Sequence, residues 1–179
     1  MSEEKPIART LLRGAPHQNH GLFSDHYLNE TLPNRLDWQQ LSTSAEVTQC
    51  LTDLRKLLAK YVPTSNEAQT EEGLIKPVLE ALGHAFEVQP SLDTPGIRTT
   101  PDYVFYVDEA ARNSNKNIKL TEAALAGRAY AVGDAKYWDR KLDVSVKGGG
   151  DLKTNANPSW QIDFYIRYSG LSWGILTNG

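Results

Sequence analysis

The sequence predicts an α/β domain made of helices and one sheet. Apolar residues within 45–82 recur at three- and four-residue spacing, which indicates two amphipathic helices. After Gly83 the apolar residues form short runs and alternations that are typical of strands. Residues 157–176 return to a helical pattern followed by one more apolar strand. The predicted order is therefore helix, helix, strand, strand, strand, helix, strand.

Length and composition are typical of one globular domain. A chain of 179 residues can bury a core without disulfide bonds or structural metals. Cys50 is the only cysteine, which excludes the disulfide framework of a small secreted protein. No apolar run approaches the ~20 residues that a membrane span requires, and no signal peptide is recognisable. We therefore expect a cytoplasmic protein with no membrane partner.

An arm and two helices are predicted for residues 1–82. Residues 1–44 mix prolines with short apolar clusters and are expected to form a helical arm packed on the core. The first core helix is predicted over 44–62, where Pro63 ends it. The second is predicted over 66–82, with a bend or break at Pro77.

The remaining elements follow from turn residues and apolar runs. Three strands are predicted, at 85–88, 103–107 and 130–135. The stretch 108–127 is too long for a hairpin loop, so we expect an insertion with a turn at 112–117 and a helix-like TEAALAG. A capped helix over 157–169 and a buried strand over 171–176 complete the chain.

Charged residues occur at the ends of two predicted strands. Pro101-Asp102 precedes the second strand, and Asp134-Ala135-Lys136 ends the third. Because side chains alternate along a strand, Asp134 and Lys136 are expected on one face. With Asp102 from a neighbouring strand, two carboxylates can converge on one hard cation such as Mg²⁺, with the lysine in reach of whatever that cation binds. This set of groups suits phosphodiester hydrolysis.

A simpler interpretation of these residues remains open. An Asp-x-Lys triplet also occurs at solvated strand ends, where it forms a surface ion pair of little energetic value. Pro-Asp is likewise common in turns.

Pro101-Asp102 followed by Asp134-Ala135-Lys136 resembles the signature of the PD-(D/E)XK nucleases. The resemblance implies a restriction-endonuclease-like core in residues 45–179, with the order αβββαβ and a mixed central sheet flanked by helices. It also implies a further acid from the first core helix, for which the candidates are Glu67, Glu71 and Glu72. Glu67 is favoured, because the string from Asn66 to Gly83 is similar to a helix of restriction-enzyme nuclease domains. The alternative is an exposed acidic helix face.

The last helix carries a second resemblance. Gln161 and Tyr165 fit the QxxxY motif of type I restriction subunits. One helical turn separates them, so the amide and the hydroxyl can serve the same phosphate or water. The alternative is a helix surface with an aromatic ring packed on the core. The strings Leu22–Leu28 and Trp173–Gly179 are similar to segments of type IIG restriction-modification enzymes.

These resemblances imply a metal-dependent endodeoxyribonuclease acting on double-stranded DNA. Asp102, Asp134 and Glu67 or Glu71 would bind Mg²⁺, or Mn²⁺ in its place, and Lys136 would position or activate water. Gln161 and Tyr165 would support the site. Two alternatives stay open: a catalytically inactive nuclease-like module that binds DNA or a partner, and a repair or recombination nuclease of the same fold. The resemblance also implies that residues 1–179 are part of a larger restriction-modification protein with methyltransferase or other domains.

The charge distribution bears on the DNA partner. The net charge of −3 by itself argues against nucleic-acid binding. Residues 136–179, however, carry six Lys and Arg against four Asp and Glu. Five of these basic residues lie close enough along the chain to meet phosphates together: Lys136, Arg140, Lys141, Lys147 and Lys153.

Overall fold

A computed structural model of the chain describes residues 23–93, 100–116, 118–144 and 157–179. The chain divides into two compact units, residues 1–61 and residues 62–179. The division follows the helix of residues 45–60, no side chain of which is buried. The predicted boundary between residues 44 and 45 stays a prediction. Packing of residues 1–44 on the core stays a prediction, and residues 1–22 lie outside the described residues.

The described part of the N-terminal unit is helical. Short turns at Tyr27–Thr31 and Leu32–Asn34 precede α1, Leu36–Ser42, and α2, Ala45–Lys60. Ser44 caps α2, because its hydroxyl accepts a hydrogen bond of 3.1 Å from the backbone N–H of Val47. The helix predicted over 44–62 is therefore confirmed.

Helix α3 opens the second unit and contains a wider turn in its middle. It consists of an α-helical start, Glu67–Thr70, a π-helical turn, Glu71–Ile75, and an α-helical end, Lys76–Ala81. Pro77 is the second residue of the last segment and directly follows the π-helical turn. The helix thus continues past the proline, with the π-helical turn at the point where a break was expected.

The second unit is built on a mixed, open sheet of four strands in the order β1-β2-β3-β4. The strands are β1, Ala85–Val88, β2, Tyr103–Tyr106, β3, Ala129–Ala135, and β4, Trp173–Thr177. β1 and β3 both pair antiparallel with β2, whereas β4 pairs parallel with β3. The α/β class and the mixed sheet agree with the prediction.

Helices cover both faces of this sheet. One face carries the larger core, in which Val104 and Val132 pack with Ile162 and Tyr165 of helix α6, Pro158–Ser169. On the other face, Ile75 of α3 packs with a second set of sheet residues: Tyr103, Phe105, Ala131 and Ala135. Alternation along β3 therefore sends Asp134 to the α6 face and Ala135 to the α3 face.

Two local predictions were wrong. The turn expected at 112–117 is largely helical, because Asp108 caps helix α4, Glu109–Asn115, through a hydrogen bond of 2.7 Å from the N–H of Ala111. The last strand was expected to be buried, yet 68% of Trp173 is exposed. β4 forms an edge of the sheet, with β3 as its one paired strand among the described residues. The predicted helix in TEAALAG is confirmed as α5, Glu122–Leu125.

No helix in the described ranges is both long and apolar enough to cross a membrane.

Gly133 of β3 tests how tightly the α3 face is packed. A Cβ at this position would lie 2.8 Å from Cε2 of Phe105 and 3.1 Å from Cβ of Tyr103. We expect Gly133→Ala to lower the free energy of unfolding by about 1–3 kcal/mol through overpacking. Urea unfolding of both proteins measures the difference.

Phe105→Leu supplies the matching control. In the Gly133→Ala background it removes the ring carbon that the new methyl group meets, so the two substitutions together should cost less than the sum of the single changes. An alanine variant as stable as the wild type would contradict the described packing.

Candidate active site

The carboxyl end of β3 holds a buried charge pair. Only 1% of Asp134 and 8% of Lys136 are exposed, and Oδ2 of the aspartate lies 2.7 Å from Nζ of the lysine. The ammonium of Lys136 also donates a hydrogen bond of 2.9 Å to the carbonyl of Ala135. Asp134 Oδ2 is buried and has no partner with hydrogen-bond geometry. The alternative of a solvated strand end is therefore wrong, and the two side chains share a face as predicted.

Asp102 lies beside this pair. Its Oδ2 accepts a hydrogen bond of 2.7 Å from the backbone N–H of Ala135. The contact follows from topology, because β2 and β3 are antiparallel and the start of β2 lies next to the end of β3. The alternative of a simple exposed turn does not describe this aspartate, since it is partly buried and bonded to the strand that carries the charge pair.

Helix α3 contributes two of the three candidate glutamates. Glu67 Oε2 lies 3.9 Å from the ammonium of Lys136, and 43% of the glutamate side chain is exposed. Glu71 is buried and accepts a hydrogen bond of 2.9 Å from the hydroxyl of Tyr103. Glu72 is exposed and pairs with Lys76, so it faces away from the site. Four-residue spacing places Glu67 and Glu71 on one helix face, which explains why these two approach the sheet together.

Gln161 and Tyr165 contact each other and the chain that leads into Asp102. The amide of Gln161 donates to the hydroxyl of Tyr165 at 2.9 Å, and this hydroxyl donates to the carbonyl of Thr100 at 3.1 Å. The tyrosine ring is also part of the core, as the alternative interpretation held. Gln161 Oε1 is buried without a hydrogen-bond partner. The pair therefore positions the segment before Asp102 and leaves one amide oxygen to bind something further.

The carboxylates at this site raise one another's pKa. Burial raises the pKa of Asp134 to about 7, opposed by Lys136 and increased by the charges of Asp102 and Glu67. Burial also raises the pKa of Glu67, again opposed by Lys136 and increased by Asp102 and Glu71. Burial is the main reason for the raised pKa of Glu71 as well. The site thus gathers more negative charge than one lysine can balance.

The donor set fits a hard divalent cation. Asp102 and Asp134 supply carboxylate oxygens, which Mg²⁺ and Mn²⁺ prefer, and Asp134 Oδ2 already contacts one cation, the ammonium of Lys136. Glu67 is the nearest further carboxylate to the pair, through its contact with Lys136. Within the described ranges, no group of three or more His, Cys, Asp or Glu side chains has the geometry of a preformed metal centre. The ligand chemistry therefore suits Mg²⁺, without a closed cage already in place.

The sequence analysis overlooked Tyr103. This residue directly follows Asp102, and its hydroxyl connects β2 to α3 through Glu71. The sequence pattern indicates such a contact, because alternation along β2 sends the side chain of Tyr103 to the face opposite Asp102. A buried tyrosine hydroxyl on that face needs a hydrogen-bond partner, and an acidic helix is a natural source of one.

Comparisons of the chain with protein-family models, with curated proteins and with solved structures gave no significant match. The interpretation of the site rests on its own geometry and chemistry.

Glu71→Gln tests the excess of buried negative charge. A raised pKa in the folded state means that stability is greatest at acidic pH and falls as the pH rises through the folded pKa. Glutamine stays neutral and can still accept the hydrogen bond from Tyr103. Without divalent metal, we expect the variant to be more stable than the wild type at neutral pH by about 1 kcal/mol, a usual size for one substitution. The difference should vanish near pH ~4, where a glutamate protonates in the unfolded chain.

Glu72→Gln is the matched control for this experiment. Its carboxylate is exposed, so unfolding in urea with EDTA should show a change below about 0.5 kcal/mol at either pH. If Glu71→Gln loses stability at neutral pH, the description of the site as a surplus of buried acid is incorrect.

Proposed function

We propose that this chain contains a Mg²⁺-dependent DNA endonuclease domain of the PD-(D/E)XK type, from a restriction-modification enzyme. The observation that carries the proposal is that Asp134 and Glu67 lie 2.7 and 3.9 Å from the buried ammonium of Lys136, while Asp102 accepts a hydrogen bond from the N–H of the intervening Ala135. These groups come from three separate elements and meet where a phosphodiester can be held and hydrolysed. Carboxylate oxygens are the ligands that Mg²⁺ prefers, and Asp134 and Asp102 supply them at this point.

The order of elements also supports the proposed fold. In the second unit a helix, three strands, a helix and a final strand follow one another, and the last two strands pair parallel. This order is compatible with the αβββαβ core implied by the sequence resemblance. The insertion between β2 and β3 adds α4 and α5 beside the larger core.

In the proposed reaction Asp102 and Asp134 hold the cation, with Glu67 or Glu71 completing its ligands. A bound Mg²⁺ would polarise the phosphate and lower the pKa of a water molecule. Asp102 is fixed for this role by the backbone N–H of Ala135, which leaves its second oxygen to the cation. Gln161 and Tyr165 hold the chain entering Asp102 and so restrict the position of that carboxylate.

Lys136 is the group proposed to position water and offset charge. Its ammonium contacts Asp134 and the Ala135 carbonyl, which orient it at the strand end. Negative charge develops on the phosphate oxygens during hydrolysis, and a fixed cation in a site of low polarity stabilises that charge strongly. The proposed substrate is double-stranded DNA in the cytoplasm. Methyltransferase or other restriction-modification domains would form part of the full protein.

Asp134→Asn and Lys136→Gln test the catalytic role. Asp134→Asn removes the charge and keeps the size of the side chain, and Lys136→Gln replaces the charge with a shorter neutral amide. We expect Mg²⁺-supported cleavage of duplex DNA to fall at least about 100-fold in each. Cleavage is followed on linear duplexes, and circular dichroism confirms that each variant is folded. Asp163→Asn and Lys119→Gln are matched controls, because both residues are partly exposed and form surface ion pairs. Wild-type cleavage by both site variants would rule out the assignment.

Metal binding separates the proposed nuclease from the inactive module. Calorimetry should detect Mg²⁺ binding by the wild type and a weaker affinity in Asp134→Asn, measured without DNA. A folded wild type that binds neither Mg²⁺ nor Mn²⁺ would favour a nuclease-like module that only binds DNA or a partner. Cleavage limited to branched or damaged DNA would favour a repair or recombination nuclease.

A further inference from the structure

Arg140 is a buried cation that the proposed reaction does not yet use. It lies four residues after Lys136, in the segment that leaves β3, and only 6% of it is exposed. Arginine is almost never this buried in proteins unless an opposite charge accompanies it. The burial of this guanidinium therefore favours an anion bound beside it.

The guanidinium of Arg140 donates its hydrogen bonds to neutral backbone carbonyls. Nη1 donates to the carbonyl of Lys141, and Nη2 donates to the carbonyl of Val144 at 3.1 Å. No carboxylate of the described ranges forms an ion pair with it. A guanidinium has five N–H donors, so three remain after these two hydrogen bonds. A neutral donor would serve the two carbonyls equally well, so neither hydrogen bond requires the positive charge.

The backbone around Arg140 is held firmly in place. Its N–H donates to the carbonyl of Tyr137 at 3.1 Å, and its carbonyl accepts from Nδ2 of Asn178 at 3.0 Å. Asp139, directly before it, adopts a left-handed conformation with φ of 62°. Asn178 follows Thr177, whose carbonyl accepts from the N–H of Lys136 at 2.8 Å. These contacts tie Arg140 to the same strand end that carries Asp134 and Lys136.

The same segment contacts helix α3 beside its acidic face. The N–H of Trp138 donates to Oγ1 of Thr70 at 3.3 Å, and Thr70 lies three residues after Glu67. The positive charge of Arg140 also interacts with the carboxylate of Glu67. Burial raises the pKa of Glu67, and the positive charges of Lys136 and Arg140 both oppose the increase. The site therefore contains two cations, of which only Lys136 has a carboxylate in contact.

We propose that Arg140 binds a non-bridging oxygen of a DNA phosphate and so positions the phosphodiester beside Lys136. This inference rests on the proposed function, because it assigns the substrate anion of the same site. A guanidinium suits the role, since its planar N–H groups can donate two parallel hydrogen bonds to phosphate. The phosphate would supply an anion in direct contact with the guanidinium, which no carboxylate of the described ranges does. Of the five basic residues noted in the sequence, Lys147 and Lys153 lie outside the described residues, and Lys141 is exposed.

Arg140→Gln removes the charge and keeps an amide donor for the loop carbonyls. The probe is a short DNA duplex with Ca²⁺ in place of Mg²⁺, and binding is measured over a range of salt concentrations. Loss of one phosphate contact should lower the slope of log K against log salt by about 0.9. We also expect about 10-fold weaker binding, within the range for loss of one charge-assisted contact. Arg112→Gln is the matched control, since Arg112 pairs with Glu109 in α4, which follows the opposite end of β2.

The outcomes separate this inference from the proposed function. If folded Arg140→Gln shows an unchanged salt slope and unchanged Mg²⁺-dependent cleavage, the proposed role of Arg140 is wrong. Cleavage by the wild type would still support the proposed nuclease. A reduced slope without wild-type cleavage would keep Arg140 as a phosphate ligand and overturn the nuclease. A wild type that neither binds nor cleaves DNA would overturn both.

Arg140→Lys decides the case if the glutamine variant fails to fold. Lysine keeps the charge but offers no planar pair of donors, so the salt slope should stay while cleavage falls several-fold. Thermal unfolding monitors the structural role separately. Full wild-type cleavage by Arg140→Lys with an unchanged affinity for DNA would contradict a paired contact with phosphate.

Discussion

The buried pair of Asp134 and Lys136 is the constraint on which the rest of the site depends. Removing two charges from water costs several kcal/mol per ion, and their attraction often fails to offset that cost. Such a pair is therefore weak evidence for stability. The sheet tolerates it because Ala135, between the two residues, hydrogen-bonds to Asp102 through its N–H and to the lysine through its carbonyl. Under the proposed function, these charges would serve the reaction rather than the stability of the fold.

Two helices on opposite faces of the sheet complete the site around that pair. From one side, α3 brings Glu67 and Glu71, and the latter is held by the hydroxyl of Tyr103. From the other side, Tyr165 of α6 holds the carbonyl of Thr100 and fixes the approach to β2. Each helix is anchored by apolar packing on its own face of the sheet. The polar site is thus positioned by two hydrophobic contacts that contain no charged group.

Charge balance links the site to its proposed substrate. The carboxylates near Lys136 exceed its single charge, which favours a bound cation. Arg140, by contrast, is a cation with no carboxylate in contact among the described residues, which favours a bound anion. A bound metal ion would offset the excess of carboxylates, and a bound phosphate would pair with Arg140. Under the proposed function, the same pairing of opposite requirements would allow an acidic chain to bind DNA.

Local patterns in the sequence determined most of the helices, the strands and the shared face of Asp134 and Lys136, because helix and strand periods depend on neighbouring residues alone. They could not choose among Glu67, Glu71 and Glu72, since the rotation of α3 about its axis is set by the packing of Ile75 against the sheet. They also could not show that β4 is an exposed edge, or that charges at a strand end are buried. Only the tertiary structure decided these points, because they depend on contacts between residues far apart in the chain.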